Sequence, residues 1–372
     1  MNKAMKIILT LLAVIAVVVI AALLVLSHPA FGRRPSPQLR ARIEASHNWR
    51  DGMFRNQIPT PQFTGDKSSI RTLWNFLTDN KTQRIPHEPL NAVHTDLNNL
   101  PEGDLLVWFG HSSYLFRLGG MTFLVDPVLK MEFPASLMMK PFRGTDIYTP
   151  DDMPHIDCLI ITHEHWDHLD YATLRDIRHK VSRVVCPLGV GEYLEYWGYP
   201  KDSIAELDWY EEVSLSSPIN TLQTLQTSQT SQTLQTSITC LPTRHFSNRL
   251  FSRNQTLWAS FLVQVAEKKV YVGGDGGYDG RFREIRRKYG QVDLAFFENG
   301  QYNKDWANIH LMPQDLEKAI LELDAKQVFT VHHDKFSLAP HAWYEPDSVA
   351  KTIAECRNVC ILDQPIGTLV RF

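Results

Sequence analysis

Six residues restrict this chain more than any others: His163-Glu164-His165-Trp166-Asp167-His168, at the end of the apolar run 157–162, DCLIIT. Four of them, His163, His165, Asp167 and His168, are candidate metal ligands. In an extended stretch residues two apart point to the same side, so His163 and His165 converge on one ion. As the chain then turns from strand into helix, Asp167 and His168 are redirected toward a second ion close by. Neutral imidazole nitrogens and a carboxylate suit zinc and leave room for bound water. The alternative reading, surface histidines at a helix start, does not account for so many ligand types at one strand end.

Such a centre needs ligands from distant parts of the chain. His245 follows the strand-like ITCLPT, and Asp275 lies in VGGDGG just past another apolar run. Glycines there let the backbone come close and a carboxylate reach in, as a bridging ligand requires. Taken singly, His245 also reads as a capped loop histidine and Asp275 as a turn residue. A last histidine is expected where His332-His333 follows QVFTV. Adjacent strand residues face opposite ways, so only one of the two should ligate. His111 and His310 are further catalytic candidates. Each could orient a ligand or substrate, or serve as a structural hydrogen-bonding histidine.

The 372 residues can hold one large domain or two ordinary ones, and 44% hydrophobic with 21% charged residues is ordinary for a globular core. A net charge of −3 without a basic run argues against a nucleic-acid partner. Of five cysteines, Cys158 and Cys186 sit in apolar runs and read as buried thiols. Cys356 and Cys360 have a spacing that permits pairing, though such pairs near a chain end are mostly incidental.

Residues 7–26, IILTLLAVIAVVVIAALLVL, carry no charge. As a helix they are about 30 Å long, enough to cross a bilayer core. The run exceeds a signal peptide's apolar region, and SHPA after it is a poor cleavage site, so a retained single-pass membrane anchor is expected. Lys3 and Lys6 precede it and Arg33, Arg34, Arg40 and Arg42 follow, which leaves open the side on which the main domain lies. The expected organisation is a tail over 1–6, the anchor over 7–26, a proline-punctuated lead-in over 27–100 and a main domain over 101–372.

The lead-in should hold short helices at 38–46 and 68–77. Runs at 105–110, 113–118 and 121–125 read as consecutive antiparallel strands. Strands are then expected at 157–162, 181–186, 238–241, 258–265, 269–273, 294–297 and 327–331. Helices are expected at 171–178, 189–197, 280–289, 313–323 and 347–354, before a terminal strand pair. A β-rich half followed by strand–helix alternation predicts an α/β fold of αββα layering, two sheets face to face with helices outside. Residues 220–237, NTLQTLQTSQTSQTLQTS, form a low-complexity tract that reads as a lengthened hairpin loop.

Taken together, the HxHxDH run, His245, GGDGGY and the late HHDKF resemble the metallo-β-lactamase superfamily. More narrowly, the chain resembles the N-acyl-phosphatidylethanolamine-hydrolysing phospholipase D family from about Phe54 almost to Phe372. GHSS at 110–113, the Val125-Asp126-Pro127 turn, CPLG, ELDWYEE, YGQVDLA and HHDKFSLAPHAWYEP carry that likeness. The resemblance implies a first zinc on His163, His165 and His245, and a second on Asp167, His168 and a late histidine, with Asp275 bridging. Counting back from Phe336 selects His332. Gly276, where the family usually has threonine, and the Thr/Gln tract are departures that bear on substrate preference. The implied activity is zinc-dependent hydrolysis of a phosphodiester in a phospholipid or other amphiphile, with Asp167 also accepting a proton. Lactone or ester hydrolysis on the same fold is the alternative, and a membrane-tethered binding module with a vestigial metal site is the alternative from another class.

Overall fold

A computed structural model describes residues 2–64, 83–216, 235–249 and 252–372, together with 74, 76 and 78. A short hairpin, β1 (Trp49–Arg50) and β2 (Met53–Phe54), precedes the first large sheet. That sheet begins with β3 (Leu105–Trp108), β4 (Tyr114–Leu118) and β5 (Met121–Val125), an antiparallel meander turned by Gly119-Gly120. The strands β6 (Ile156–Ile160), β7 (Val181–Pro187) and β8 (Ile204–Leu207) continue it in parallel. The second sheet contains β9 (Glu212–Ser216) and β10 (Gln235–Leu241), and a small hairpin of β11 (Asn248–Arg249) and β12 (Ser252–Arg253) comes next in the chain. It is completed by β13 (Ser260–Val265), β14 (Lys268–Val272), β15 (Leu294–Glu298) and β16 (Gln327–Val331). The closing strand β17 (Leu369–Arg371) returns to the first sheet beside β3. The two sheet orders are β17-β3-β4-β5-β6-β7-β8 and β16-β15-β14-β13-β10-β9.

Both sheets are apolar on both faces, and the period of two divides their residues between layers. Phe116, Phe123, Val125 and Ile160 of the first sheet meet Phe261, Val263, Val272 and Phe296 of the second in the central layer. Their neighbours Leu115, Leu124 and Leu159 face outward, under the helices Tyr171–Ile177 and Gly191–Tyr196. Leu262, Tyr271, Ala295 and Phe297 do the same beneath Arg281–Tyr289, Pro313–Leu323 and Glu345–Arg357. The stripe Leu316, Ala319, Ile320 and Leu323 has helical spacing and is buried. Each fully buried leucine or isoleucine of this kind contributes about 1.5–3 kcal/mol. The result is the expected αββα layering.

The helix after the histidine run starts at Tyr171 as expected, where Asp170 caps it by accepting from the Thr173 amide at 2.9 Å, and Asp167 and His168 stand in the turn ahead of it. Two expectations need correction. At the C-terminus β17 is the one named strand, and Ile361 makes only an isolated bridge to Val328. The Thr/Gln tract ends in β10: Gln235, Thr236 and Ser237 pair with β9 and β13, and the rest of it up to 234 lies outside the described residues. The strands β8 and β9 were not anticipated. The helix expected at 68–77 falls mostly outside the described residues. All five cysteines are free, Cys356 and Cys360 exposed.

The lead-in lies across the sandwich. The helix Pro37–Ala45 buries Ile43, and Phe54 is fully buried beside it. Ser46 and Asn48 both donate to the carboxylate of Asp208. The helix Lys3–Leu26 is uncharged from Ile7 onward and its described residues are exposed rather than packed on the sandwich.

Candidate metal centre

At one end of the sandwich the chain repeatedly leaves a strand and delivers a polar side chain. His111 follows β3, Asp126 follows β5, and residues 163–168 follow β6. His245 comes after β10, Asp275 after β14 and His332 after β16. These side chains converge into two adjoining clusters, His163, His165, His245 and Asp275 in one and His111, Asp167, His168 and His332 in the other. Within the first, His163 Nε2 and His165 Nδ1 stand 2.8 Å apart, and His245 Nε2 is 3.2 Å from His165 Nδ1. Asp275 Oδ2 joins the clusters, 3.3 Å from both His168 Nε2 and His332 Nε2 and 3.9 Å from His163 Nε2 and His245 Nε2. All seven sequence-predicted ligands are therefore brought together, and His333 points away from them.

Most of the inward nitrogens are set by what the other ring atom touches. His245 donates from Nδ1 to the Ile309 carbonyl at 2.8 Å. His332 Nδ1 meets Ser112 Oγ at 2.9 Å, and His163 Nδ1 meets Thr162 Oγ1 at 3.0 Å. His168 donates from Nδ1 to Asp126 Oδ2 at 2.8 Å, and Asp126 also accepts from the Thr162 amide and hydroxyl. Such partners fix ring orientation and raise ligand basicity. His111 Nε2 donates to Asp167 Oδ2 at 2.9 Å, and His310 Nδ1 to Glu298 Oε2 at 2.7 Å. Glu298 Oε1 also accepts from the amides of Gly276 and Leu311, tying the Asp275 loop to the His310 loop. His111 and His332 have left-handed backbones, φ 53° and 73°, and their segments are zipped by His111 N–His333 O and His332 N–His111 O bonds of 2.8 and 2.9 Å. Strain of this kind, about 1–3 kcal/mol per residue, persists only where surroundings hold it.

Burial, reinforced by neighbouring histidines, holds His163, His245 and His332 well below the usual imidazole range. Burial likewise lowers His165 to about 3 and His111 to about 4. These rings are neutral at neutral pH and present lone pairs. For His168 burial opposes the charge, yet Asp275, Asp167 and Asp126 outweigh it and hold the ring well above its ordinary value. Burial raises Asp275 to about 6.

The donor set fits two divalent cations. His168 Nε2 is buried with no hydrogen-bond partner, although carboxylate oxygens lie 3.3 and 3.6 Å away. A charge-assisted hydrogen bond would close to about 2.7–2.9 Å. With zinc–ligand bonds near 2.0–2.2 Å, ligands on one tetrahedral ion lie about 3.3 Å from each other. The spacings around Asp275 suit imidazole and carboxylate donors to a shared ion.

Several contributors were not picked out as site residues from the sequence: Asp126, Glu298, Ser112, Asn56 and Arg249. Asn56 donates to the His245 carbonyl and accepts from its amide. Arg249 stacks 3.7 Å over Trp166 and donates to the carbonyls of Glu164 and Ala30, joining the histidine run to the lead-in. Strand-end carboxylates such as Asp126, which opens the Asp126-Pro127 turn, are the signal that could have found the first of these.

An αββα sandwich with a doubled His/Asp cluster at its strand ends is the architecture of the metallo-β-lactamase-fold hydrolases. The description "Beta-lactamase superfamily domain" matches residues 121–333, more than half of the chain, so the protein belongs to the β-lactamase superfamily, and it is a metal-dependent hydrolase. It is 33% identical over 343 residues to an uncharacterised protein of Mycobacterium tuberculosis, covering 90% of this chain and 86% of that one. It resembles the N-acyl-phosphatidylethanolamine-hydrolysing phospholipase D 1 of Caenorhabditis elegans at 25% identity over 285 residues, 73% of this chain and 75% of that one. Among solved structures, the diiron β-hydroxylase CmlA of Streptomyces venezuelae shares the fold with a TM-score of 0.54 at 20% identity. That match covers 73% of this chain, which spans only 55% of CmlA.

Proposed function

We propose that the protein is a zinc-dependent phosphodiesterase of phospholipase D type, acting on N-acyl phosphatidylethanolamine-like lipids at a membrane surface. The observation that carries this reading is the character of the cavity over the metal centre. About 390 Å³ in volume, it exposes His165, Asp167, Asp275, His310 and His332 on one side, and its walls include Phe63, Phe76, Phe246, Trp306, Ile309 and Leu338. No lysine or arginine is among its described lining residues. A phosphomonoester or polyphosphate brings multiple charges that need fixed cations. A diester brings one, which bound metal can meet, and its apolar substituents match the walls. The name of the C. elegans relative and the apolar helix Lys3–Leu26 support the same substrate class.

Two zinc ions held by His163, His165, His245, Asp275, Asp167, His168 and His332 would acidify a water and polarise a phosphoryl oxygen. The chain's own groups do the rest. His111, its Nε2–H bonded to Asp167, holds that carboxylate in place to accept the proton of the attacking water. His310 lines the cavity with Nδ1 committed to Glu298, so Nε2 is left for substrate. Burial opposes charge on His310, but Glu298 outweighs it and raises its pKa, which suits a proton donor to the departing oxygen. Phe63, Phe76 and Trp306 keep bulk water from the reacting centre.

A hydrolysis screen of the zinc-loaded protein tests the reading. N-acyl phospholipids should be cleaved faster than simple phosphodiesters, and lactones least. Preferential lactone cleavage would move the assignment to ester hydrolysis, and a protein that retains no metal would be a binding module.

A further inference from the structure

His333 faces away from His332 into a cluster of its own. Its ring is 3% exposed and packs against Trp108 with centroids 4.8 Å apart. Nδ1 has no hydrogen-bond partner, nor has the buried Asp334 Oδ1. Yet His333 Nδ1 stands 3.3 Å from Asp334 Oδ1 and 3.5 Å from Asp347 Oδ1. Those separations are too long for a charge-assisted hydrogen bond, about 2.7–2.9 Å, and close to the ~3.3 Å edge between ligands on one tetrahedral ion. The same spacing recurs in the main centre, 3.3 Å from Asp275 to His168 and to His332. On the far side of the ring, Nε2 lies 3.3 Å from Thr330 Oγ1, so the ring is held with Nδ1 turned toward the two carboxylates.

We propose that His333, Asp334 and Asp347 form a further divalent-cation site, distinct from the dinuclear centre. One imidazole and two carboxylates suit zinc or manganese. The remaining coordination position opens toward solvent, where the Asp347 side chain is 40% exposed. Asp347 stands in the first turn of the helix Glu345–Arg357, so the ion would tie that helix to the end of β16 and hold the strained His332 backbone in place.

The test uses the full chain in detergent, stripped with chelator, reloaded with zinc, dialysed and submitted to elemental analysis. Asp347→Ala and His333→Gln should each hold one zinc fewer than the parent. The deficit should persist when Asp347→Ala is combined with Asp275→Ala, because the further site does not depend on the dinuclear centre. Where the alanine variant fails to fold, Asp347→Asn keeps the side-chain shape while removing its charge, and should show the same loss. Equal zinc in the parent and the variants would overturn the proposal. So would a deficit that vanishes in the Asp275→Ala background, since the loss would then trace to His332.

Discussion

Asp126 illustrates how one residue outside the ligand set can govern the centre. It accepts from His168 Nδ1 and from two groups of Thr162, at the end of β5 with φ 40°. Asp126→Asn keeps the shape but replaces one acceptor oxygen with a donor, so His168 loses its orientation. Metal affinity should fall about 10–100-fold, with little change in fold; competition against a chromophoric chelator reads this directly. Gly276 has an equally local explanation. A Cβ there would lie 1.9 Å from Thr243 Oγ1 and 2.9 Å from the Arg244 amide nitrogen. The Thr243 hydroxyl, which donates to the Asp275 carbonyl and accepts from Arg281, fills the space that a side chain at 276 would need. Gly276→Ala should therefore destabilise the protein by about 1–3 kcal/mol in denaturant unfolding. An unchanged midpoint would mean that Thr243 can move aside.

Among elements, the junction of β9 and β10 separates sequence composition from structure. The Thr/Gln tract has too little apolar variety to build a core, but its last residues behave differently. Thr236 is 1% exposed and pairs with both Leu215 and Val265. Deleting 220–233 and closing with a short turn should leave the thermal midpoint within a few degrees, since loop-closure entropy changes slowly with length. Extending the deletion through Thr236 should lower the midpoint clearly, because it removes strand pairing; equal midpoints for the two deletions would contradict this. The helices and apolar strands were legible in the sequence because each carries a complete period: Leu316, Ala319, Ile320 and Leu323 on one helix, or LLVW in β3. The strands β8 and β9 were not, since IAEL and EVSLS are short, mixed and only partly buried at the end of a sheet. The candidate ligands could be picked out because His and Asp grouped at strand ends are uncommon, and the structure brings these seven side chains together. The partners that orient them, Asp126, Glu298 and Ser112, are common residue types whose role exists only once β5, β15 and the β3–β4 turn come together.

The whole molecule joins an apolar helix, a lead-in and a catalytic sandwich. The lead-in is more than a tether: the Ala30 carbonyl accepts from Arg249, the Phe31 ring meets Trp166 edge-on at 5.4 Å, and Asn56 brackets His245. A chain beginning at Ser27 should accordingly stay in solution and bind zinc like the parent, whereas the full chain should sediment with membranes and resist alkaline extraction. Beginning at Arg33 should cost stability, because the Ala30 contact to Arg249 and the Phe31 contact to Trp166 are gone. Recovery of the full chain in the soluble fraction would contradict the anchor.

Zinc-dependent phosphodiester cleavage is tested by the rate of N-acyl phosphatidylethanolamine hydrolysis in vesicles as zinc is titrated back into the chelated full chain. Activity should be absent without metal and recover as zinc is restored, with Asp275→Ala remaining more than about 100-fold below the parent. Undiminished turnover after chelation, or near-parent turnover by Asp275→Ala, would contradict zinc-dependent cleavage at this centre.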